Sequence, residues 1–368
     1  MKTIYIGSLQ YSPVYKSHCF ALGKQLEKQG YTVKYLFSQN YKWMLQEEII
    51  KNTIFLGNSI DPFSAIKSGF DIRLKREIKR NFNISKPDYI YMYNFHPFLN
   101  YYVAGLAKKC GAIFIQHVQE PYVENKKAYD GSYRYLLYLF EFLQGKLLTK
   151  TDIAILSSNI ASAAFNKRYP DFRGKKLIIP LMYEDLGGCN TKKRIRKYIT
   201  FIGPPVPAKG PKTFLDIVDY SERYKLDYEF ILISRNEVND PRYHKNSNLK
   251  IFYKTNISDE EIGHYISHSI ATITPYKTAR QSSVVLTSYM YGTPVISTNV
   301  GGLPEVISHL KTGYLLDLNA NTEQWIKGLN YIKENLGTMS INCRDSFVTN
   351  FSEINWPKYF GELFNKDV

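Results

Sequence analysis

The apolar positions change period repeatedly along this chain, from short continuous runs to helical spacing and back. Residues 3–9 (TIYIGSL) are rich in β-branched and aromatic side chains and predict a buried strand. A polar turn follows, then CFALGKQLEKQG, in which Phe20, Leu22 and Leu26 suit one helical face and Gly30 stops the helix; YTVKYLF begins a second strand. Strand, helix, strand in that order is the unit of a parallel sheet. It returns as PDYIYMYN, YYVAGLAKKCG and AIFIQHV, with TDIAILSS as a further strand before a helix. Between about Tyr183 and Arg196 the pattern lapses into EDLGGCNTKKRIRK, whose polar, basic composition predicts a linker.

Beyond it the alternation restarts. YITFIG, YEFILIS and IATITP read as strands, separated by the helices KTFLDIVDYSERY and SDEEIGHYISHS, the latter with Ser258 as its N-cap. VVLTSYMYG is a helix closed by Gly292, PVISTN and GYLLDL are strands, and two helices lie around NTEQWIKGLNYIKENLG and WPKYFGELF. The expected fold class is therefore α/β, with two Rossmann-like parallel-sheet domains, 1–190 and 191–351. Such a pair leaves a cleft at the carboxyl ends of the strands, where ligands of these sheets bind.

Composition sharpens this picture. A chain of 368 residues exceeds one typical core, and 44% hydrophobic against 22% charged residues excludes a disordered chain. The net charge of +15 asks for an anionic partner: nucleic acid, an acidic membrane surface or a phosphorylated small molecule. The basic residues are dispersed and form no aromatic-basic recognition motif, which speaks against nucleic acid. Cys19, Cys110, Cys189 and Cys343 lie far apart, so they read as reduced thiols rather than as a zinc site or disulfide scaffold. The apolar start is too short for a signal peptide, and the richest apolar run, YRYLLYLFEFLQGKLL, is broken by Glu141 and Lys146 before it reaches membrane-spanning length. The expectation is a cytoplasmic protein whose membrane contact, if any, is peripheral. IKSGFDIRLKREIKRNF carries Lys75, Arg76, Lys79 and Arg80 at helical spacing among Ile72, Leu74 and Ile78. It reads either as a solvated helix face or, with the aromatic run, as a docking surface for an anionic inner leaflet.

The chemistry concentrates between Thr274 and Glu305, TPYKTARQSSVVLTSYMYGTPVISTNVGGLPE. A loop after a strand, QSS, opens a helix at about Ser283, so unpaired backbone amides and the positive end of the helix dipole suit a diphosphate. Simple capping by Ser282 and Ser283 is the alternative. Gly301 and Gly302 predict a tight turn. No Asp-x-Asp pair and no His/Cys cluster is present, so no metal or other cofactor is expected.

YGTPVIST and NVGGLPE, with weaker echoes in LGKQLEKQGYTV, HVQEP, FIGPPVPAKGPKTFLDIV and SDEEIGHYISHSIATITPY, resemble glycosyltransferase family 4, retaining enzymes of the GT-B fold. The resemblance covers nearly the whole chain. It implies transfer of a hexose-type sugar from a UDP- or GDP-sugar to a saccharide or lipid-linked acceptor, in the synthesis of a cell-surface polysaccharide or glycolipid. It also implies a first domain completed by the C-terminal helix within 352–368. Lys209 matches a lysine that neutralises the donor diphosphate, and His117, ending AIFIQHV on the cleft side, matches a histidine that positions the donor sugar. Gly203, Arg235, Thr255, Arg280, Gln281, Ser282, Ser283, Thr287 and Glu305 are implied on the donor side, with Tyr11 and Glu120 on the acceptor side. The sequence departs from the family where two glutamates are usual, at Ala279 and Thr287, and where an arginine is usual, at Pro204. Gln281 or Thr287 would then hold sugar hydroxyls, and Arg280 or Arg235 would replace the guanidinium. A branch of the family carries a QSG-type loop here, which QSSV resembles. Two other readings fit the same architecture: a nucleotide-sugar epimerase, and a nucleotide-sugar-binding protein without catalysis.

Overall fold

Strands buried on both faces of a parallel sheet exclude charged side chains, and YIYM, IAIL, VIST and SIATIT are buried along their whole length. The computed structural model describes residues 1–57, 62–123, 126, 133–187, 195–279 and 281–364. The chain divides into two units, Met1–Glu184 together with the segment from Glu353 onward, and Asp185–Ser352.

In the first unit the order is β1 (Thr3–Ser8), α1 (Pro13–Lys28), β2 (Thr32–Ser38), α2 (Glu47–Lys51), β3 (Thr53–Leu56), α3 (Pro62–Gly69), α4 (Ile72–Ser85), β4 (Tyr89–Met92), α5 (Leu99–Cys110), β5 (Ile113–His117), α6 (Tyr133–Leu148), β6 (Ile153–Leu156), α7 (Asn159–Arg168) and β7 (Lys175–Ile178). The seven strands pair in parallel in the order β3-β2-β1-β4-β5-β6-β7. Helices α4, α5 and α6 share one face of this sheet: Leu74, Ile78 and Phe82 of α4, Leu99, Val103 and Ala107 of α5, and Leu147 of α6 belong to a single apolar core. Helix α1 starts earlier than its apolar spacing predicts. Proline at its first position, with a φ already suited to a helix, moves the start back to residue 13.

The second unit runs β8 (Tyr198–Ile202), α8 (Pro211–Arg223), β9 (Glu229–Ser234), β10 (Leu249–Tyr253), α9 (Asp259–Ser267), β11 (Ser269–Thr274), α10 (Ser283–Met290), β12 (Val295–Thr298), α11 (Leu303–Val306), β13 (Gly313–Leu316), α12 (Thr322–Glu334) and α13 (Leu336–Ser346). Its six strands are parallel, ordered β10-β9-β8-β11-β12-β13. Ser258 caps α9 through a full capping box with Glu261, and Gly292 ends α10 with φ of 66°.

A last helix, α14 (Pro357–Leu363), belongs to the first unit. The Glu353 amide donates to the Tyr183 carbonyl at 3.0 Å and the Tyr89 hydroxyl to the Phe364 carbonyl at 2.5 Å. Trp356 is fully buried, its ring edge-on to His18 and Tyr91 at 5.3 and 6.4 Å between centroids. Among the described residues no helix is long and apolar enough to cross a membrane.

Candidate functional site

In both sheets the strand order reverses once, between β1 and β4 and between β8 and β11. Loops that leave two neighbouring strands in opposite directions open a crevice there, outside the carboxyl ends of the strands. The chemistry read from the sequence falls at the second of these points.

Three loops of the second unit meet around it. The turn after β8, residues 203–210, is tied to the loop after β11 by the Lys277 amide donating to the Ala208 carbonyl at 2.9 Å. The loop after β12 is tied to the same segment by the Gly302 amide donating to the Ala279 carbonyl at 3.0 Å. Lys209 lies on the first loop and the start of α10 on the second.

Lys209 is half-buried, and its ammonium donates to the Ile202 carbonyl at 3.3 Å and sits 5.8 Å from the ring centre of Tyr276. Gly203 makes this placement possible: its φ is 109°, and a Cβ there would lie 2.1 Å from the Lys209 nitrogen. Among the described residues no carboxylate lies within ion-pairing distance of Lys209. Desolvation therefore acts on the ammonium without an opposing charge and lowers its pKa to about 8. A cation held in this way gains whenever an anion arrives.

Helix α10 supplies the other half. Ser282 is its N-cap with extended φ and ψ of −139° and 110°, yet its side chain makes no capping hydrogen bond. The capping alternative for Ser282 is thereby set aside. The amides of Ser283 and Val284, in the first helical turn, meet no acceptor among the described residues. Ser283→Pro tests their role, since proline fits the first helical position and Ser282 already has the backbone that a following proline requires. We expect unchanged thermal stability and an affinity for nucleoside diphosphate about tenfold weaker by titration calorimetry, the cost of one charge-assisted hydrogen bond. Equal affinity would remove the helix start from the site.

The remaining donor-side residues are less gathered. The Thr287 hydroxyl donates to the Ser283 carbonyl at 2.9 Å, so its proton is engaged within the helix rather than offered to a ligand. Arg235, after β9, donates to the Ile257 carbonyl at 3.0 Å and holds the approach to α9. Thr255 is exposed beyond the edge strand β10, with its hydroxyl 3.3 Å from that of Tyr253. Gln281 is half-buried directly before the N-cap, and Glu305 is exposed in the first turn of α11. Arg280 lies outside the described residues. Of the glycine pair, Gly301 alone has a positive φ, 53°, and a Cβ there would strike the Ala279 carbonyl oxygen at 1.7 Å; Gly302, at φ −82°, adopts a conformation open to any residue.

In the first unit His117 ends β5 as expected, and its ring is buried. Its Nδ1 is 3.0 Å from the Tyr91 hydroxyl, which is also 2.9 Å from His18 Nε2. One phenolic proton serves two rings, so Tyr91 donates to one imidazole and the other donates to it. Burial pushes the His117 pKa down to about 3, so the ring is neutral near pH 7 and acts by hydrogen bonding rather than as a proton carrier. Its Nε2 is buried with no partner among the described residues. Tyr11, after β1, packs edge-on to Tyr41 at 4.9 Å, and Glu120 is exposed in the loop after β5.

Sequence reasoning missed the groups that hold these loops. The Asn94 side chain accepts from the Leu9 amide at 3.1 Å and donates to the Gln10 carbonyl at 2.7 Å, while the Tyr41 hydroxyl accepts from the Ser12 amide at 3.0 Å. Asn100 donates to the Asn94 carbonyl at 2.6 Å and to Gln116 at 2.9 Å. The one signal was an asparagine directly after the apolar run YIYMY. Among the described residues no three His, Cys, Asp or Glu side chains converge as a metal cage.

Residues 190–344 match the family model described as Glycosyl transferases group 1. A comparison with curated proteins finds no match. Among solved structures, a glycosyltransferase from Rickettsia africae is 16% identical with a TM-score of 0.71, covering 100% of this chain and 99% of its own. Sucrose-phosphate synthase from Thermosynechococcus elongatus is 14% identical with a TM-score of 0.72, covering 99% and 98%. HepE of Anabaena in complex with UDP-glucose is 11% identical with a TM-score of 0.72, covering 98% and 99%. These likenesses show the fold, two parallel-sheet α/β domains of the GT-B kind.

Proposed function

We propose that the protein is a retaining glycosyltransferase that moves a hexose-type sugar from a UDP- or GDP-sugar to a saccharide acceptor carried on a lipid. The observation that carries this reading is the desolvated Lys209 ammonium, without a counterion among the described residues, on a loop tied to the one that opens α10. A diphosphate satisfies both at once. The group 1 match over residues 190–344 and the Anabaena protein bound to UDP-glucose support a nucleotide sugar as its source.

In this reading the sugar–phosphate bond breaks as the acceptor oxygen bonds the same sugar carbon. The acceptor proton passes to a leaving phosphate oxygen, so no protein base is required. Lys209 and the Ser283 and Val284 amides stabilise the charge that collects on the departing diphosphate. The first unit, with its own crevice at β1 and β4, takes the acceptor, and Tyr11 lies on the clamped loop there.

The test is a thermal-shift screen of UDP-, GDP- and ADP-sugars repeated across pH, because a ligand that binds only the folded chain raises its melting temperature. Anion binding requires the protonated amine. Affinity should therefore be level below pH 7 and weaken by up to tenfold per unit as pH rises through about 8, the free-state value for Lys209. Lys209→Met should abolish that dependence. Absence of any nucleotide effect sinks the proposal, and conversion of the donor sugar without acceptor would replace transfer by epimerisation.

A further inference from the structure

We propose that the outer side of the α4–α5–α6 layer docks on an anionic lipid bilayer. Its most apolar strip is on α6, where Tyr135, Tyr138, Leu139 and Phe142 are 73, 58, 42 and 58% exposed. Their spacing of three, one and three residues places them on one helical stripe pointing away from the core. A soluble helix normally carries polar side chains there.

Cations frame the stripe. Lys146 holds its ammonium 5.5 Å from the Phe142 ring centre, and Lys150 lies 3.6 Å from that of Tyr101 on α5. On α4 the buried face is Leu74, Ile78 and Phe82, which leaves Arg76, Lys79 and Arg80 on the outside with Glu77. Glu141, the carboxylate that interrupts the apolar run of α6, does not offset them. It is turned inward, accepting the Val123 amide at 2.9 Å and pairing with Lys126 at 2.7 Å.

Charge complementarity chooses the occupant. Phenolic and phenyl rings sit at the depth of lipid headgroups, and lysine stems lie along apolar surface while the charge stays in water. A surface that combines an aromatic stripe with a field of positive charge therefore matches acidic headgroups over an acyl boundary. The net charge of +15 acts in the same direction. This surface lies within the first unit, and its assignment does not depend on the donor reading.

The experiment is cosedimentation of the full chain with vesicles of phosphatidylglycerol mixed with phosphatidylcholine, and with phosphatidylcholine alone. The chain should pellet with the first and stay in solution with the second. Arg76→Gln, Lys79→Gln and Arg80→Gln together should weaken binding about a hundredfold, at about fivefold per charge near an acidic leaflet. Tyr135→Ser, Tyr138→Ser and Phe142→Ser together should weaken it about tenfold or more at unchanged melting temperature. A chain that stays in solution with anionic vesicles, or variants that pellet as the parent does, overturns the assignment. Self-association in light scattering without vesicle binding would give the stripe to a second copy and overturn it as well. UDP binding measured on the same samples is expected to be unaffected, which keeps this outcome distinct from the test of the donor site.

Discussion

Replacement of Lys209 by alanine is expected to slow sugar transfer about a hundredfold to a thousandfold, the cost of removing one preorganised charge-stabilising group. The reasoning rests on timing. Ground-state donor already carries a diphosphate, but the bond to the sugar withholds one oxygen's charge until the transition state, so the ammonium contributes most when that charge is released. UDP affinity should fall less than the rate constant, because in the proposed site the amides at the start of α10 remain as phosphate ligands. Single-turnover transfer of labelled sugar, beside UDP titration, separates the two effects. The variant should not be less stable than the parent, since Lys209 is a desolvated cation with no counterion among the described residues. A rate within threefold of the parent would leave Lys209 with no part in the reaction.

The second large effect concerns Trp356. Trp356→Ala should cost the first unit about 3–5 kcal/mol, the usual result of truncating a fully buried aromatic ring. At about 2–4 °C per kcal/mol for a unit of this size, its calorimetric transition should fall by about 10 °C. The loss extends beyond one cavity. Trp356 stands edge-on to His18 and Tyr91, so the pair that positions His117 loses its backing. The second unit's transition, recognisable because UDP raises it, should stay in place. A variant in which both transitions match the parent would show that α14 contributes little to the core beneath it.

Both sheets were legible because their central strands are long apolar runs between helices that carry a single apolar face. The edges were not. KKLI buries Leu177 alone and exposes Lys176 and Ile178, TIFL is four residues long, and LKIFY ends in half-buried and exposed positions, so none separates from a polar loop by periodicity alone. Helix α13 escaped for the same reason, as LGTMSINCRDS buries only Met339 and Cys343. At the candidate site, the loop-to-helix start at Ser283 could be read from QSS, since a serine pair before an apolar run is local information. The direction of the His117 ring could not. It depends on Tyr91 and His18, which come from different elements and meet only when the sheet forms. Thr287 shows a related limit: its hydroxyl faces a carbonyl four residues back, a partner that exists only once the helix does.

The chain leaves its first unit at Glu184 and re-enters it at Glu353. During synthesis the sheet of that unit emerges early, yet Trp356 and the Phe364 carbonyl that receives the Tyr89 hydroxyl reach it only after the whole second unit has left the ribosome. The second unit is thus free to mature first, while the earlier one waits with an unfilled groove where the indole will lie. Order of translation and order of completion are inverted, and a nascent chain stalled before Trp356 would hold one finished half and one open half.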